Sequence, residues 1–210
     1  MTKIYLASLI CFLSSFLLAQ SKSSDQPKVA SSIKIAYNSA LIYSGIRLGF
    51  ELPTQIIYKT KVKKNNQKKQ IEKSQFLIFN IGFYHHPHYH DNLYFTVGYT
   101  FRNVKQKGFF TEFSPEVGYS RTFLGGTTYQ VTDHVSIKHN AGYNHLLLSL
   151  GAGFGYDFSK LLGKPYALFY KTNIIVMLPY NNSVHLRPTM ELGIRFTPRK
   201  LFPRQIKTTI

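Results

Sequence analysis

The chain contains no tryptophan, a single cysteine (Cys11), and only 9 acidic residues against 26 lysines and arginines. Cys11 falls inside a segment read below as a cleaved leader, so disulfide bridging and thiol chemistry are excluded from the mature chain. Past the first twenty residues, no apolar stretch approaches the roughly 20 residues that a membrane-spanning helix requires. Phosphate-cradling motifs are missing too: Leu124-Gly125-Gly126 and the series Gly151, Gly153, Gly155 lack the lysine and the helix that such a loop needs. The shortage of acid leaves a formal net charge of +17. Such a charge favours anionic partners. For an exported chain these are lipid phosphates and cell-wall carboxylates, and no nucleic acid is expected.

Lys3 precedes an apolar run from Ile4 to Leu18, broken only by Ser8, Cys11, Ser14 and Ser15, and Ala19-Gln20-Ser21 offers small and polar residues for cleavage. This is the layout of a secretory signal peptide over residues 1–20. Cys11 follows Ile10 where a lipoprotein anchor would have a small residue. Residues 21–38 read as a flexible leader, residues 39–197 as a barrel, and residues 198–210 as a basic C-terminal tail.

What the chain has in abundance is Tyr and Phe, 15 and 17 residues, set in strict alternation. Between Asn92 and Arg102, Leu93, Phe95, Val97, Tyr99 and Phe101 share one face, and Tyr94, Thr96, Gly98, Thr100 and Arg102 the other. A side-chain period of two is the signature of a β-strand. The pattern recurs in Ala40–Leu52, weakly in Thr54–Val62, then in Gln75–Tyr84, Gly108–Phe123, Asn144–Phe158, Tyr166–Leu178 and His185–Phe196. Pro53 marks a tight turn between the first two. Lengths of 9–11 residues or more suit strands that cross a bilayer at a tilt.

The acids give an independent check. Glu51, Glu112, Glu116, Asp157 and Glu191 all fall on the inward set of these strands and none on the outward set. A lipid-facing charge at the midplane costs about 2–4 kcal/mol for Lys or Arg and less for Asp or Glu, so membrane insertion produces this segregation. The outward faces carry Phe, Tyr and Leu with no second layer to cover them. The expected fold is therefore all-β: an antiparallel, up-and-down, membrane-spanning β-barrel of about eight strands, with both termini and the short turns periplasmic and the long loop Leu124–Tyr143 outside. A soluble two-sheet sandwich is the fold alternative.

Glu191-Leu192-Gly193-Ile194-Arg195-Phe196 resembles the C-terminal β-signal of outer-membrane barrels: a polar residue, glycine two positions on, and an aromatic three after that. Pro198 stands where the pattern has a further apolar residue, and the chain continues to Ile210. The layout from Ile33 to Phe196 resembles small outer-membrane β-barrel proteins of the Bacteroidota type, many without an assigned function. The resemblance implies residence in the outer membrane among lipopolysaccharide and phospholipid, and insertion by the barrel-assembly machinery. It implies no activity and no cofactor.

Four constellations invite a chemical reading. His85-His86-Pro87-His88-Tyr89-His90-Asp91 places imidazoles, the commonest ligands of zinc, copper and nickel, in a turn, although the spacing matches no dedicated metal motif. Asp133-His134-Val135-Ser136 puts a histidine and a serine two residues apart, the spacing of outer-membrane lipid A deacylases, but alternation sends Asp133 to the opposite face. Inward Arg47, Arg102, Lys171, Arg187 and Arg195 face Glu51, Glu112, Glu116, Asp157 and Glu191, either as a salt-bridged filling or as a narrow solute conduit. In the filling, Gly151, Gly153 and Gly155 would make room for long arginines. Lys59, Lys61, Lys63, Lys64, Lys68, Lys69 and Lys73, with Arg199, Lys200, Arg204 and Lys207, gather at the periplasmic rim, where anionic head groups or cell wall lie within reach. The reading is a structural or surface-interaction protein, with a lipid A-modifying hydrolase and a small-solute channel as alternatives. No residue is assigned a catalytic, cofactor-binding or metal-binding role.

Overall fold

A computed structural model describes residues 28–40, 43–62, 68–87, 89–131, 135–137, 141–180, 183–198, 204–205 and 207–209. The signal peptide expected at residues 1–20 lies outside them. Strands β1 (Ser32–Ala40), β2 (Tyr43–Val62), β3 (Lys68–His86), β4 (His90–Lys105), β5 (Phe109–Leu124), β6 (Gly142–Asp157), β7 (Tyr166–Tyr180) and β8 (Ser183–Phe196) each pair antiparallel with the next. The ring closes where β8 pairs with β1, Met190 opposite Ser39 through to Phe196 opposite Ile33. Eight strands thus leave no free sheet edge in the barrel wall.

The alternation read from the sequence is the alternation of burial. On β4, Leu93, Phe95, Tyr99 and Phe101 are exposed while Tyr94, Thr96, Thr100 and Arg102 are buried. On β8, Leu186, Met190, Leu192 and Ile194 face out, and Arg187, Thr189, Glu191 and Arg195 are buried. The outward apolar positions from Leu146 to Phe154 on β6 and from Val184 to Phe196 on β8 span about 20–30 Å along the barrel axis, taking a rise near 3.3 Å per residue and a tilt near 40°. That matches the hydrocarbon thickness a barrel of this kind presents.

The first two strands differ from the sequence reading. Ser32–Ala40, expected to lie in the leader as far as residue 38, is the first barrel strand, so the barrel begins before residue 39. The two strands expected on either side of Pro53 are one strand, Tyr43–Val62. Pro53 lacks the N–H that a ladder position needs, and a bulge answers this: Pro53 pairs with Phe76, Gln55 with Gln75, and Thr54 is extra. The Thr54 hydroxyl donates to the Gln75 carbonyl at 3.0 Å. The tight turn expected at residues 52–54 does not exist, and β1 and β2 are joined through residues 41–42.

Two smaller features complete the picture. Between β5 and β6, the segment expected as a long loop carries a short hairpin, Tyr129–Val131 with Val135–Ile137. Between β6 and β7 lies a single helical turn, α1 (Ser159–Leu162), closed by Gly163 in the left-handed conformation (φ 64°). Both tails lie at the α1 end: Lys28–Val29 pairs with Arg204–Gln205, and Lys207–Thr209 runs parallel to Gln55–Ile57 of β2.

Candidate functional site

The barrel interior is its most elaborate chemistry. Six cations (Lys34, Arg47, Arg102, Lys171, Arg187, Arg195) and four carboxylates (Glu51, Glu112, Glu116, Glu191) are each 7% exposed or less. All sit at inward positions of their strands. They are arranged in layers along the axis.

In the layer nearer the termini, Arg102 Nη2 is 2.8 Å from Glu51 Oε2, and its Nε is 3.0 Å from Glu112 Oε2. Arg195 repeats the arrangement, with Nε 2.9 Å from Glu51 Oε2 and Nη2 2.9 Å from Glu112 Oε2. Two guanidinium groups thereby alternate with two carboxylates in a closed, neutral square. Phe110 lies under both, its ring centroid 5.3 Å from the Arg102 guanidinium and 5.2 Å from that of Arg195. Phe76 (4.4 Å from Arg102) and Phe169 (5.1 Å from Arg195) add the outer walls. Aromatic faces carry partial negative charge, so the square is held between surfaces that suit its cations.

The next layer is centred on Arg47, which pairs with both Glu116 and Glu191 and donates to Thr96 Oγ1 at 3.1 Å. Glu116 also accepts from Asn80 Nδ2 (2.9 Å), Thr96 Oγ1 (2.6 Å) and Lys171 Nζ (3.1 Å). Asn173 Nδ2 donates to Glu191 Oε1 at 2.9 Å. Buried charges are tolerated where each has an opposite charge and hydrogen bonds. Further toward the loop end, the Arg187 guanidinium stacks 3.9 Å over the Tyr84 ring, and Asn38 Nδ2 donates to Tyr94 Oη at 2.6 Å.

Of the two readings of these charges, the geometry favours filling. Side chains in a water-filled conduit would be wetted, yet Arg47, Lys171, Glu51 and Glu191 are at most 1% exposed. Asp157 faces inward as expected but takes no part in the filling: it lies half-buried at the rim, lining the cavity at the α1 end, and its Oδ1 accepts the backbone N–H of Ser159 at 2.9 Å, where α1 begins. The glycines also have other tenants than expected. A Cβ at Gly151 would overlap Lys171 and Asn173, and one at Gly155 would overlap Phe110, so the nearest side chains at these glycines are not arginines. Lys34, Asn173 and the Phe76–Phe110–Phe169 cage were not singled out from the sequence. Lys34 was hidden by the leader assignment, whereas the phenylalanines were findable by parity.

At the α1 end the square floors a cavity of about 280 Å³ lined by Glu72, Ser74, Phe76, Asp157 and Lys160 among others. Lys160 Nζ on α1 is 2.7 Å from Glu72 Oε2 on β3. Burial alone would lower the Lys160 pKa, but the hydrogen bond and charge of Glu72 outweigh it and hold the ammonium above its ordinary value.

At the opposite rim, the histidine turn divides between two faces. His85 Nδ1 lies 2.5 Å from Asp91 Oδ1, its direct cross-strand partner, on the exposed side. His86 and His90 stack on each other, ring centroids 5.2 Å apart, and His86 Nδ1 donates to the Pro87 carbonyl at 2.9 Å. His88 lies outside the described residues, and among those described no three His, Cys, Asp or Glu side chains converge as a metal cage. Ser136 is exposed on the short hairpin, paired with Gln130, while Asp133 and His134 lie outside the described residues. So do Lys63, Lys64, Arg199 and Lys200.

A closed ring of eight antiparallel strands, oily outside and charged within, defines a membrane-spanning β-barrel. No protein-family model matches the chain, and no curated protein matches it. Among solved structures, it is similar to Ail, the attachment invasion locus protein of Yersinia pestis, with 12% identity, a TM-score of 0.45, and 81% of this chain and 99% of that one covered. It is also similar to Neisserial surface protein A (12% identity, TM-score 0.39, 81% and 96% covered) and to the beta domain of the Bordetella autotransporter BrkA (10%, 0.34, 80% and 67%). At such values these likenesses add nothing to what the strand pairing already defines.

Proposed function

We propose that this chain is a bacterial outer-membrane barrel with a structural or surface-interaction role: a rigid ring that displays the segment between β5 and β6 and the histidine turn on one side of the bilayer. A signal peptide would export it and the barrel-assembly machinery would insert it, with lipopolysaccharide and phospholipid as its surroundings. The observation that carries this reading is the sorting of side chains by face: exposed Leu, Ile, Phe and Tyr at the outward positions of every strand, and the ten buried Lys, Arg and Glu side chains among the described residues all inside. Glu191–Phe196, the segment resembling a β-signal, forms the end of β8 and pairs with β1 at the seam of the ring, where a signal read during barrel closure would lie.

The test is membrane fractionation of the full-length chain in a Gram-negative host, with gel migration before and after boiling. Recovery in the outer-membrane fraction, with a band that shifts on heating, is the expected result. Recovery as a soluble periplasmic protein without a heat shift would refute the reading.

A further inference from the structure

Lysines continue the lipid-facing wall of the barrel just past its apolar belt, at the end that carries the termini. On β3 the outward positions run Phe79, Leu77, Gln75, Lys73, and the register sets Lys73 beside Asn103 of β4 and Ile71 beside Lys105. On β2 the bulge at Thr54 decides the matter. Ile46, Leu48 and Leu52 are outward at even positions; after the extra residue, Ile57 pairs with Lys73 and Lys59 with Ile71, so the outward positions become odd. Without that inserted residue, Lys59 would point into the barrel. Lys59, Lys73 and Lys105 are all exposed, and Lys61 and Lys69 are register partners one step further along the same sheet. Lys105 Nζ lies over the Phe109 ring at 4.5 Å.

The depth is informative. Lys73 is four residues from Leu77, about 13 Å along the strand and roughly 10 Å along the axis at a 40° tilt. The head-group layer occupies about 5–8 Å beyond each edge of the hydrocarbon, and a lysine side chain can reach back toward it. No carboxylate among the described residues neutralises this face. Glu72 is on the inward side and is held by Lys160. Cations flush with the bilayer wall meet lipid before they meet anything in the aqueous compartment.

We propose that Lys59, Lys73 and Lys105 form a site that selects anionic phospholipid head groups in the leaflet next to the termini. This rests on the membrane-barrel reading and adds a ligand class to it. Each lysine near a head-group phosphate favours an anionic lipid about fivefold at low salt, and the preference fades as ionic strength rises.

The test uses the purified full chain in bilayer nanodiscs of phosphatidylcholine, with spin-labelled phosphatidylglycerol or phosphatidylcholine as probe. The wild type is expected to hold phosphatidylglycerol several-fold more strongly. The triple variant Lys59→Gln/Lys73→Gln/Lys105→Gln should lose that preference while keeping its heat-shifted band, and Arg121→Gln at the far rim should keep it. Equal association of both lipids with the wild type, or an undiminished preference in the triple variant, overturns the proposal and leaves the barrel standing. Lysine-dependent retention on purified cell-wall sacculi without lipid selectivity overturns it in favour of the wall. Failure to enter phosphatidylcholine nanodiscs at all refutes the barrel reading together with the site.

Discussion

Arg102 and Arg195, 93 positions apart in the chain, hold the same oxygen of Glu112 at 3.0 and 2.9 Å. Each also reaches Glu51, so losing either arginine takes one of two guanidinium partners from both carboxylates. Such a square adds little net free energy over an apolar filling, but breaking it from one side is costly. Its members come from β2, β4, β5 and β8, so it ties the early strands to the seam.

Glu112→Gln should therefore destabilise the barrel by about 3–5 kcal/mol, because two buried guanidinium groups lose a charge partner. The change is read as a lower urea midpoint for loss of the heat-shifted band. Adding Arg195→Gln should cost less than the sum of the two single changes, as coupled partners do. Strict additivity would show that the square does not act as a unit.

Gly151→Val should cost about 1–3 kcal/mol or more by overpacking. Its Cβ would enter the space held by Lys171 and Asn173, the donors to Glu116 and Glu191. Gly126→Val lies where an added Cβ meets nothing, although its φ of 83° adds strain of its own, about 1–3 kcal/mol. Shortening the occupant, as in Gly151→Val with Lys171→Ala, should recover part of the loss if crowding is the cause.

Leu150→Arg should lower stability in bilayers by about 2–4 kcal/mol, since Leu150 is 56% exposed on the lipid side of β6. In a soluble two-sheet protein an arginine at so exposed a position would cost almost nothing. Refolding into vesicles under a urea gradient measures the difference.

Lys160→Gln should loosen α1 from β3 with a small effect, below about 1 kcal/mol, because the pair is partly wetted. The folded Lys160 holds its proton above the ordinary lysine value. Its contribution is therefore complete below about pH 10.5 and is lost as pH rises through the folded value. Wild type and variant should differ at pH 8 and converge in strong alkali, as followed by proteolysis of the α1 segment.

The outward and inward faces of six strands were legible because a barrel imposes a period of two on every residue. Leu146, Leu148 and Leu150 against Ser149 is enough to orient β6. The first two strands were misread for local reasons. Pro53 punctuates sequence strongly, and a bulge that absorbs it leaves no mark except Thr54 itself. Ile33, Ile35 and Tyr37 do alternate with Lys34, Ala36 and Asn38, but a lysine just after the Ser- and Lys-containing stretch that ends at Ser32 reads as part of a solvated leader until a lumen exists to receive it. Splitting one strand and omitting another left the expected count at eight, by compensation. The pairing partners within the lumen were beyond reach. Which arginine meets which glutamate depends on the register of strands far apart in sequence, and no local pattern encodes it.

Spin labels on adjacent β6 residues test the central claim most directly, because membrane lipid should cover one face only. In a Cys11→Ser background, cysteine-attached labels at Leu148, Leu150 and Ser149 would be placed in vesicles and probed with dissolved oxygen and a water-soluble nickel complex. The account predicts that Leu148 and Leu150 collide freely with oxygen and are shielded from nickel, with Ser149 poorly accessible to both. Nickel reaching Leu148 and Leu150 as readily as oxygen would contradict it.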